Sequence, residues 1–97
     1  MTESACSTTN FSFSEALTWL KNGYRVAREG WNGKGQFIYL VPEGAYAPCT
    51  PAAEKLVNGD GLVPYGAYLA IKTVQGNVVP WLASQTDLLA NDWMIAD

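Results

Sequence analysis

The side chains best suited to binding chemistry lie in two short stretches of the sequence, residues 28–34 and 81–87. The tryptophan rings can stack on a flat base, and the basic side chains can bind phosphate. The amides and the carboxylate can bond ribose hydroxyls or base edges. The candidate ligand-binding residues are Arg28, Trp31, Asn32, Lys34, Trp81, Ser84, Gln85 and Asp87. This combination of side chains favours a nucleotide ligand.

A short helix is predicted to begin after Ser84 and to run to about Asn91. Ser84 has the character of an N-cap, and Asp87 stands three residues later, where it can complete a capping box. The free amides and the dipole at such an end favour ligands that carry negative charge or accept hydrogen bonds. Leu88 is predicted to face the core. In the alternative interpretation, Ser84 and Asp87 only cap the helix and the neighbouring tryptophans only fill a small core.

Catalytic chemistry has little support in the sequence. The 97 residues include no histidine, which removes imidazole acid–base catalysis and the commonest metal ligand. No sequence rule pairs the best acids, Glu29, Asp87 and Asp92, and the glycine-rich stretch 30–35 lacks the spacing of a phosphate-binding loop. The alternative role for Arg28 is a salt bridge to Glu29 or Asp87. We therefore predict a protein that is not an enzyme and has no metal or cofactor.

Composition predicts one small domain that associates with itself. Four Trp, five Tyr and three Phe exceed what a 97-residue core readily encloses, so some of these rings are expected at an interface or a pocket. The net charge of −3 argues against binding to DNA or RNA duplexes or to anionic membranes. The two cysteines have no metal-ligand spacing, and the polar start does not resemble a signal peptide, which favours a cytoplasmic location.

The pattern along the chain predicts an α+β fold, with one antiparallel sheet, an N-terminal helix packed on it and a short C-terminal helix. Residues 1–10 are predicted to be a flexible leader and residues 11–97 a single domain. The first helix has a capping box of Ser12 and Glu15, and Gly23 stands at its end. Strands are predicted at 24–28, 37–41, 65–74, 78–79 and 93–95, and 42–64 is predicted to be a long loop with one helical turn near 50–56.

Four motifs also resemble a known family. They are Phe13-Ser14-Glu15-Ala16-Leu17, Arg28-x-x-Trp31-Asn32-Gly33, Phe37-Ile38-Tyr39-Leu40-Val41-Pro42 and Pro80-Trp81-Leu82-Ala83-Ser84-Gln85-x-Asp87. The chain is similar, over most of residues 11–96, to small phage-associated proteins long classed as a domain of unknown function, a family that includes the Thoeris anti-defence sponges.

The resemblance implies a homo-oligomer, a tetramer built from two dimers, in the host bacterial cytoplasm. Such a protein would sequester, without cleaving it, a cyclic ADP-ribose-type messenger made by a bacterial TIR-domain enzyme. Some relatives also hold cyclic di- or trinucleotides at a separate site. This sequence departs from the family mainly in its leader and in the 42–64 loop, so ligand choice stays open. Two alternatives remain, namely a hydrolase of the same messenger and a phage structural or interaction module that binds no nucleotide.

Overall fold

The computed structural model describes residues 9–31 and 34–96. Its elements are α1 (Phe13–Lys21), β1 (Val26–Arg28), β2 (Phe37–Val41), β3 (Gly44–Tyr46), α2 (Pro51–Glu54), β4 (Val63–Tyr65), β5 (Tyr68–Lys72), β6 (Val78–Pro80), α3 (Gln85–Leu89) and β7 (Trp93–Ile95). Five strands form an antiparallel sheet in the order β6-β5-β2-β1-β7. The predicted α+β class is confirmed. Most of the predicted leader, residues 1–8, lies outside the described residues.

Helix α1 begins as its sequence predicts. The Ser12 amide donates to Oε1 of Glu15 at 2.9 Å, and the Glu15 amide donates to Oγ of Ser12 at 3.3 Å. The chain leaves the helix through Gly23, whose φ of +93° is a conformation that glycine adopts without strain. The helix buries Ala16 and Leu20 completely. These two side chains belong to the hydrophobic core, so α1 packs on the face of the sheet where that core forms.

Strand β1 crosses the centre of this core. Val26 pairs with Ile38 on one side and with Ile95 on the other, so the first, second and last strands are neighbours. Trp93, Leu20, Ile38 and Val26 are the largest fully buried side chains. The predicted pairing of the first two strands is confirmed, although β1 is shorter than the predicted 24–28.

The opposite face of the sheet is not covered by α1, which packs through Leu20 on the face that holds Ile38. Side chains alternate along a strand, so Phe37 and Tyr39 point away from the face that holds Ile38. Tyr68 and Val78 lie on this outer face of neighbouring strands and are about half exposed, at 46% and 50%. We call this surface the open face. It combines aromatic and aliphatic side chains with the basic side chains of Arg25 and Lys72.

Both edge strands of the sheet are partly prevented from pairing with a further strand. On one side, Phe11 exchanges backbone hydrogen bonds with Trp93, with N–O distances of 2.8 and 3.1 Å, and so covers part of β7. On the other side, β6 ends in Pro80, which pairs with Ala70 and has no N–H to offer. Proline is tolerated there because β6 is an edge strand.

Residues 42–66 form a small arm beside the sheet. The predicted helical turn is confirmed as α2, where the Ala53 amide donates to Oγ1 of Thr50 at 3.1 Å. The remainder is not only loop, because β3 and β4 pair as a two-stranded ribbon. Val63 is the arm's only buried side chain among the described residues. The ribbon escaped the sequence pattern because its strands are three residues long and contain glycine and proline.

The helix predicted at 84–91 is shorter than expected and faces differently. It ends at Leu89, and Ala90 is already extended with ψ of 153°. The prediction that Leu88 faces the core is wrong, since Leu88 is 45% exposed. The indole of Trp93 lies beneath this turn instead, and its Nε1 donates to the carbonyl of Asp87 at 2.9 Å. Within the described residues, none of the helices is long and apolar enough to cross a membrane.

Candidate ligand-binding site

A partly buried ion-pair network joins β1 to the end of the chain. Nε of Arg28 donates to Oδ1 of Asp92 at 2.8 Å, and NH1 of Arg28 donates to Oδ1 of Asp87 at 2.9 Å. Oδ2 of Asp92 also accepts from the Gly30 amide at 2.9 Å. The side chains of Arg28, Asp87 and Asp92 are only 17%, 15% and 28% exposed. One guanidinium therefore serves two carboxylates, and the network carries a net charge of −1.

Asp87 belongs to this network and to the capping box of α3 at the same time. The Asp87 amide donates to Oγ of Ser84 at 3.0 Å, and the Ser84 amide donates back to Oδ2 of Asp87 at 3.3 Å. Oδ1 of Asp87 also accepts from Nε1 of Trp31 at 3.4 Å. Both carboxylate oxygens of Asp87 thus already accept hydrogen bonds from the protein.

The network shifts the pKa of each of its members. Hydrogen bonds from Arg28 hold the pKa of Asp92 below its usual range, although burial opposes this. Burial by itself raises the pKa of Asp87, but the combined hydrogen bonds from Arg28, Ser84 and Trp31 outweigh it and lower that pKa. The two carboxylates, Asp92 foremost, raise the pKa of Arg28. All three groups are therefore charged at neutral pH.

Three tryptophans meet edge to face beside this network. Trp31 lies 5.4 Å from Trp93 and 6.5 Å from Trp81 between ring centroids, and Trp81 lies 6.0 Å from Trp93. The interplanar angles of these pairs are 78°, 62° and 84°, which suits the aromatic quadrupole. Phe13 of α1 contacts Trp93 at 5.2 Å. Trp93 is fully buried, whereas Trp31 and Trp81 are partly exposed.

A cavity of about 310 Å³ opens next to the network, between β1 and the start of β2. Arg28, Trp31 and Lys34 all line it, together with Glu29 and Phe37. Lys34 is exposed and lies in the turn that leads into β2. Of the eight candidates predicted from the sequence, these three share one cavity. Arg28 is already paired with two carboxylates of the protein. Lys34 is therefore the cation in this cavity that is better placed to contact a ligand.

The other candidates fall elsewhere. Ser84, Asp87 and Trp81 lie around the network and the tryptophan cluster rather than in the wall of this cavity, and Gln85 is exposed at the first turn of α3. Asn32 lies outside the described residues. The binding roles of all eight residues stay predictions. The structure also contains the contacts of the predicted alternative, because Arg28 forms a salt bridge with Asp87 and Ser84 caps α3.

Sequence reasoning overlooked Asp92 as the main partner of Arg28. The register of the sheet sets Arg28 opposite Trp93, so the residue before Trp93 reaches the guanidinium. Pairing the first strand with the last was the signal that could have identified it. The arm's cavity was also overlooked. It has a volume of about 400 Å³ and is lined by Tyr46, Tyr65 and Tyr68.

Comparison with known proteins matches residues 11–96 to a family model described as a Tad2-like, Thoeris anti-defence 2-like domain. The chain is also similar to a protein of Bacillus phage SP01 named Thoeris anti-defense 2. The two are 40% identical over 93 residues, which cover 90% of this chain and 96% of that protein. The matched range of residues 11–96 spans the positions that form the ion-pair network and the tryptophan cluster in this chain.

Proposed function

Because the chain belongs to the Thoeris anti-defence 2-like family, we propose that it binds a cyclic nucleotide immune messenger and holds it without cleaving it. The ligand class is the cyclic ADP-ribose type, including glycocyclic ADP-ribose. The family match across residues 11–96 is the observation that carries this proposal. A messenger held in this way would not reach its effector in the host cytoplasm.

The cavity at β1 supports the proposal chemically. It combines the partly exposed ring of Trp31 with the cationic side chain of Lys34, which are the contacts that a base and a phosphate require. The adjacent Arg28 network carries a net negative charge and would repel phosphate. Hydroxyl groups, which donate to carboxylates, are better suited to that side of the cavity. Within this cavity the base therefore fits beside Trp31, the sugar beside the Arg28 network and a phosphate beside Lys34.

Sequestration places different demands on a site than catalysis does. A sponge must bind the ground state of the messenger tightly, whereas an enzyme must bind the transition state more tightly than the substrate. Rings held by neighbouring rings, such as Trp31 against Trp93, lose little freedom when a ligand arrives. Such preorganisation increases affinity without any requirement for turnover.

Homo-oligomerisation is part of the proposal, with a dimer of dimers as the expected form. The open face exposes Tyr68 and Val78, and the turn around α3 exposes Leu82 and Leu89, at 92% and 77%. A second copy of the chain would remove this apolar area from water. Light scattering at micromolar concentration should give the mass of a tetramer. A monomer under these conditions would contradict the proposed assembly.

The decisive experiment is calorimetry with cyclic ADP-ribose isomers and with cyclic di- and trinucleotides, followed by mass analysis of the ligand after the protein is denatured. Sequestration requires saturable binding and recovery of the intact ligand. Recovery of a cleaved product would identify a hydrolase. Failure of every nucleotide to bind would favour an interaction module.

Substitution of Trp31 tests the position of the base. Stacking on an aromatic ring contributes about 1–3 kcal/mol per base, so Trp31→Ala should weaken binding about ten- to hundredfold and Trp31→Phe much less. Trp19→Phe is the matched control, because Trp19 packs on Phe11 and Tyr24 outside the cavity. Unchanged affinity in a folded Trp31→Ala variant of native oligomeric state would place the base elsewhere.

A further inference from the structure

Asp87 bonds to two of the three rings in the tryptophan cluster. Its Oδ1 accepts a hydrogen bond from Nε1 of Trp31 at 3.4 Å, and its backbone carbonyl accepts one from Nε1 of Trp93 at 2.9 Å. An indole has no other polar group, so these bonds use the whole hydrogen-bonding capacity of both rings. Asp87 therefore fixes the direction in which each indole N–H points.

The carboxylate that holds Trp31 is itself held from other sides. NH1 of Arg28 donates to the same Oδ1 at 2.9 Å, and the Ser84 amide donates to Oδ2 at 3.3 Å. The Asp87 side chain is only 15% exposed. It cannot rotate without breaking these contacts, so the acceptor for the Trp31 indole has a fixed position.

Asp87 is not among the described residues that line the cavity of about 310 Å³ beside β1, whereas Trp31 is. The contacts of Trp31 with the other rings are edge to face, at 5.4 Å from Trp93 and 6.5 Å from Trp81. Ring contacts tolerate a range of separations and angles, whereas a hydrogen bond weakens steeply when it is misaligned. The bond to Asp87 thus sets the orientation of a ring in a cavity wall to which Asp87 itself does not belong.

We propose that Asp87 is a positioning residue for the base of the messenger, and that it acts through Trp31 rather than by touching the ligand. The assignment rests on the proposed function, in which the base stacks on Trp31. A ring that is already held in its bound orientation loses little freedom when the base arrives. Helix α3 buries none of its own side chains. Its contribution to the site is to carry this acceptor.

The variant Asp87→Ala removes the acceptor and leaves the rest of the network paired. Arg28 retains its bonds to Asp92 at 2.8 and 3.5 Å, so one cation still faces one carboxylate. Removal of a negative charge near the cavity would favour an anionic ligand, so charge does not explain weaker binding in this variant. Glu15→Ala is the matched control, because Glu15 occupies the same position in the other capping box, where its Oε1 accepts from the Ser12 amide at 2.9 Å.

Calorimetry with cyclic ADP-ribose measures the effect in two backgrounds. In the unchanged protein, Asp87→Ala should weaken binding about two- to tenfold, the scale of ordering one side chain when a ligand binds. In Trp31→Ala, which already lacks the ring, Asp87→Ala should weaken binding no further. Glu15→Ala should bind within twofold of the unchanged protein. Asp87→Asn keeps an acceptor oxygen and should lose less affinity, and it provides the same comparison if the alanine variant does not fold.

The indole N–H of Trp31 gives a readout that needs no ligand. In NMR spectra of the free protein its resonance should move and its hydrogen should exchange faster in Asp87→Ala, while Glu15→Ala should leave both unchanged. If no cyclic nucleotide binds the unchanged protein, the proposed function fails and this readout alone decides whether Asp87 holds the ring.

Two results would overturn the positioning role. If Asp87→Ala weakens binding equally with and without Trp31, Asp87 contacts the ligand itself. If the indole resonance stays unmoved, or the folded Asp87→Ala variant keeps full affinity for cyclic ADP-ribose, Asp87 does not position the ring.

Discussion

Two arginines three residues apart in the chain, Arg25 and Arg28, lie on opposite faces of the sheet and have opposite surroundings. Arg28 is on the covered side, where Asp87 and Asp92 bind it at 2.9 and 2.8 Å. Arg25 is on the open side, over the ring of Phe37 and beside a second cation. The fold thus gives two identical side chains different surroundings, carboxylates for Arg28 and an aromatic ring for Arg25.

The comparison also shows how unevenly charge is distributed in this acidic protein. Asp87 and Asp92 lie on the covered side, where both pair with Arg28 and where Asp87 also caps α3. A cavity of about 360 Å³ on the open side is lined by Arg25 and Lys72, without carboxylates in its described lining. The local electrostatic field at each face therefore differs from what the total charge of −3 would suggest.

The largest expected effect is on the covered side. Arg28→Ala leaves two partly buried carboxylates without their cation, so the free energy of unfolding should fall by about 2–4 kcal/mol. Arg25→Ala removes a side chain that is exposed to water, so it should cost about 1 kcal/mol or less. Urea denaturation at one protein concentration measures both. Equal losses in the two variants would remove the distinction drawn between the two faces.

Acidification should weaken the same network. The pKa values of Asp87 and Asp92 are lower in the folded protein than the ordinary carboxyl value of about 3.9. Their stabilisation is therefore present above that pH and is lost as the pH falls through the lowered values. Asp92→Asn should reduce stability by about 1.5–3 kcal/mol at pH 7 and by much less near pH 2.

The control for this pH dependence is Asp60→Asn. Asp60 is a loop carboxylate whose Oδ1 accepts from the Leu62 amide at 3.0 Å. Denaturation curves at several pH values should keep their wild-type pH profile in this variant. If Asp92→Asn lowered the free energy of unfolding equally at pH 2 and pH 7, the charge of Asp92 would contribute nothing to stability.

The smallest effect concerns the two capping boxes. Ser84→Ala and Ser12→Ala should each cost about 1 kcal/mol, the usual value of an N-cap. Only Ser84→Ala should also move the NMR resonance of the Trp31 indole N–H, because that group donates to Asp87 of the same box. If Ser12→Ala moved the resonance equally, the shift would report general loosening of the fold rather than the link between α3 and the site.

Local signals in the sequence were enough to predict most elements of the fold. Ser12 with Glu15, Gly23 and the continuous apolar run 37–41 each specify their structure within a few residues. Long-range contacts were harder to predict. The partnership of Arg28 with Asp92 spans 64 residues and depends on the register of the first and last strands.

The cavity on the open face could not be predicted for the same reason. Arg25, Phe37 and Lys72 have no common motif, and only the order and register of three strands bring them together. Sequence reasoning grouped Arg28 with Lys34 because both stand near Trp31 in the chain. It offered Asp87 as an alternative partner of Arg28 but overlooked Asp92, which only the register of the first and last strands brings to the guanidinium.

Pro80 in β6 and the pairing of Phe11 with β7 restrict how copies of this chain can join. A strand added beside β6 would meet Pro80, which cannot donate a hydrogen bond, and a strand added beside β7 would compete with Phe11 for the backbone of Trp93. Growth by continuous β-sheet extension, the route to fibres, is thus hindered at both ends. The proposed oligomer would therefore join broad faces rather than sheet edges, an arrangement that suits closed particles with a fixed number of subunits.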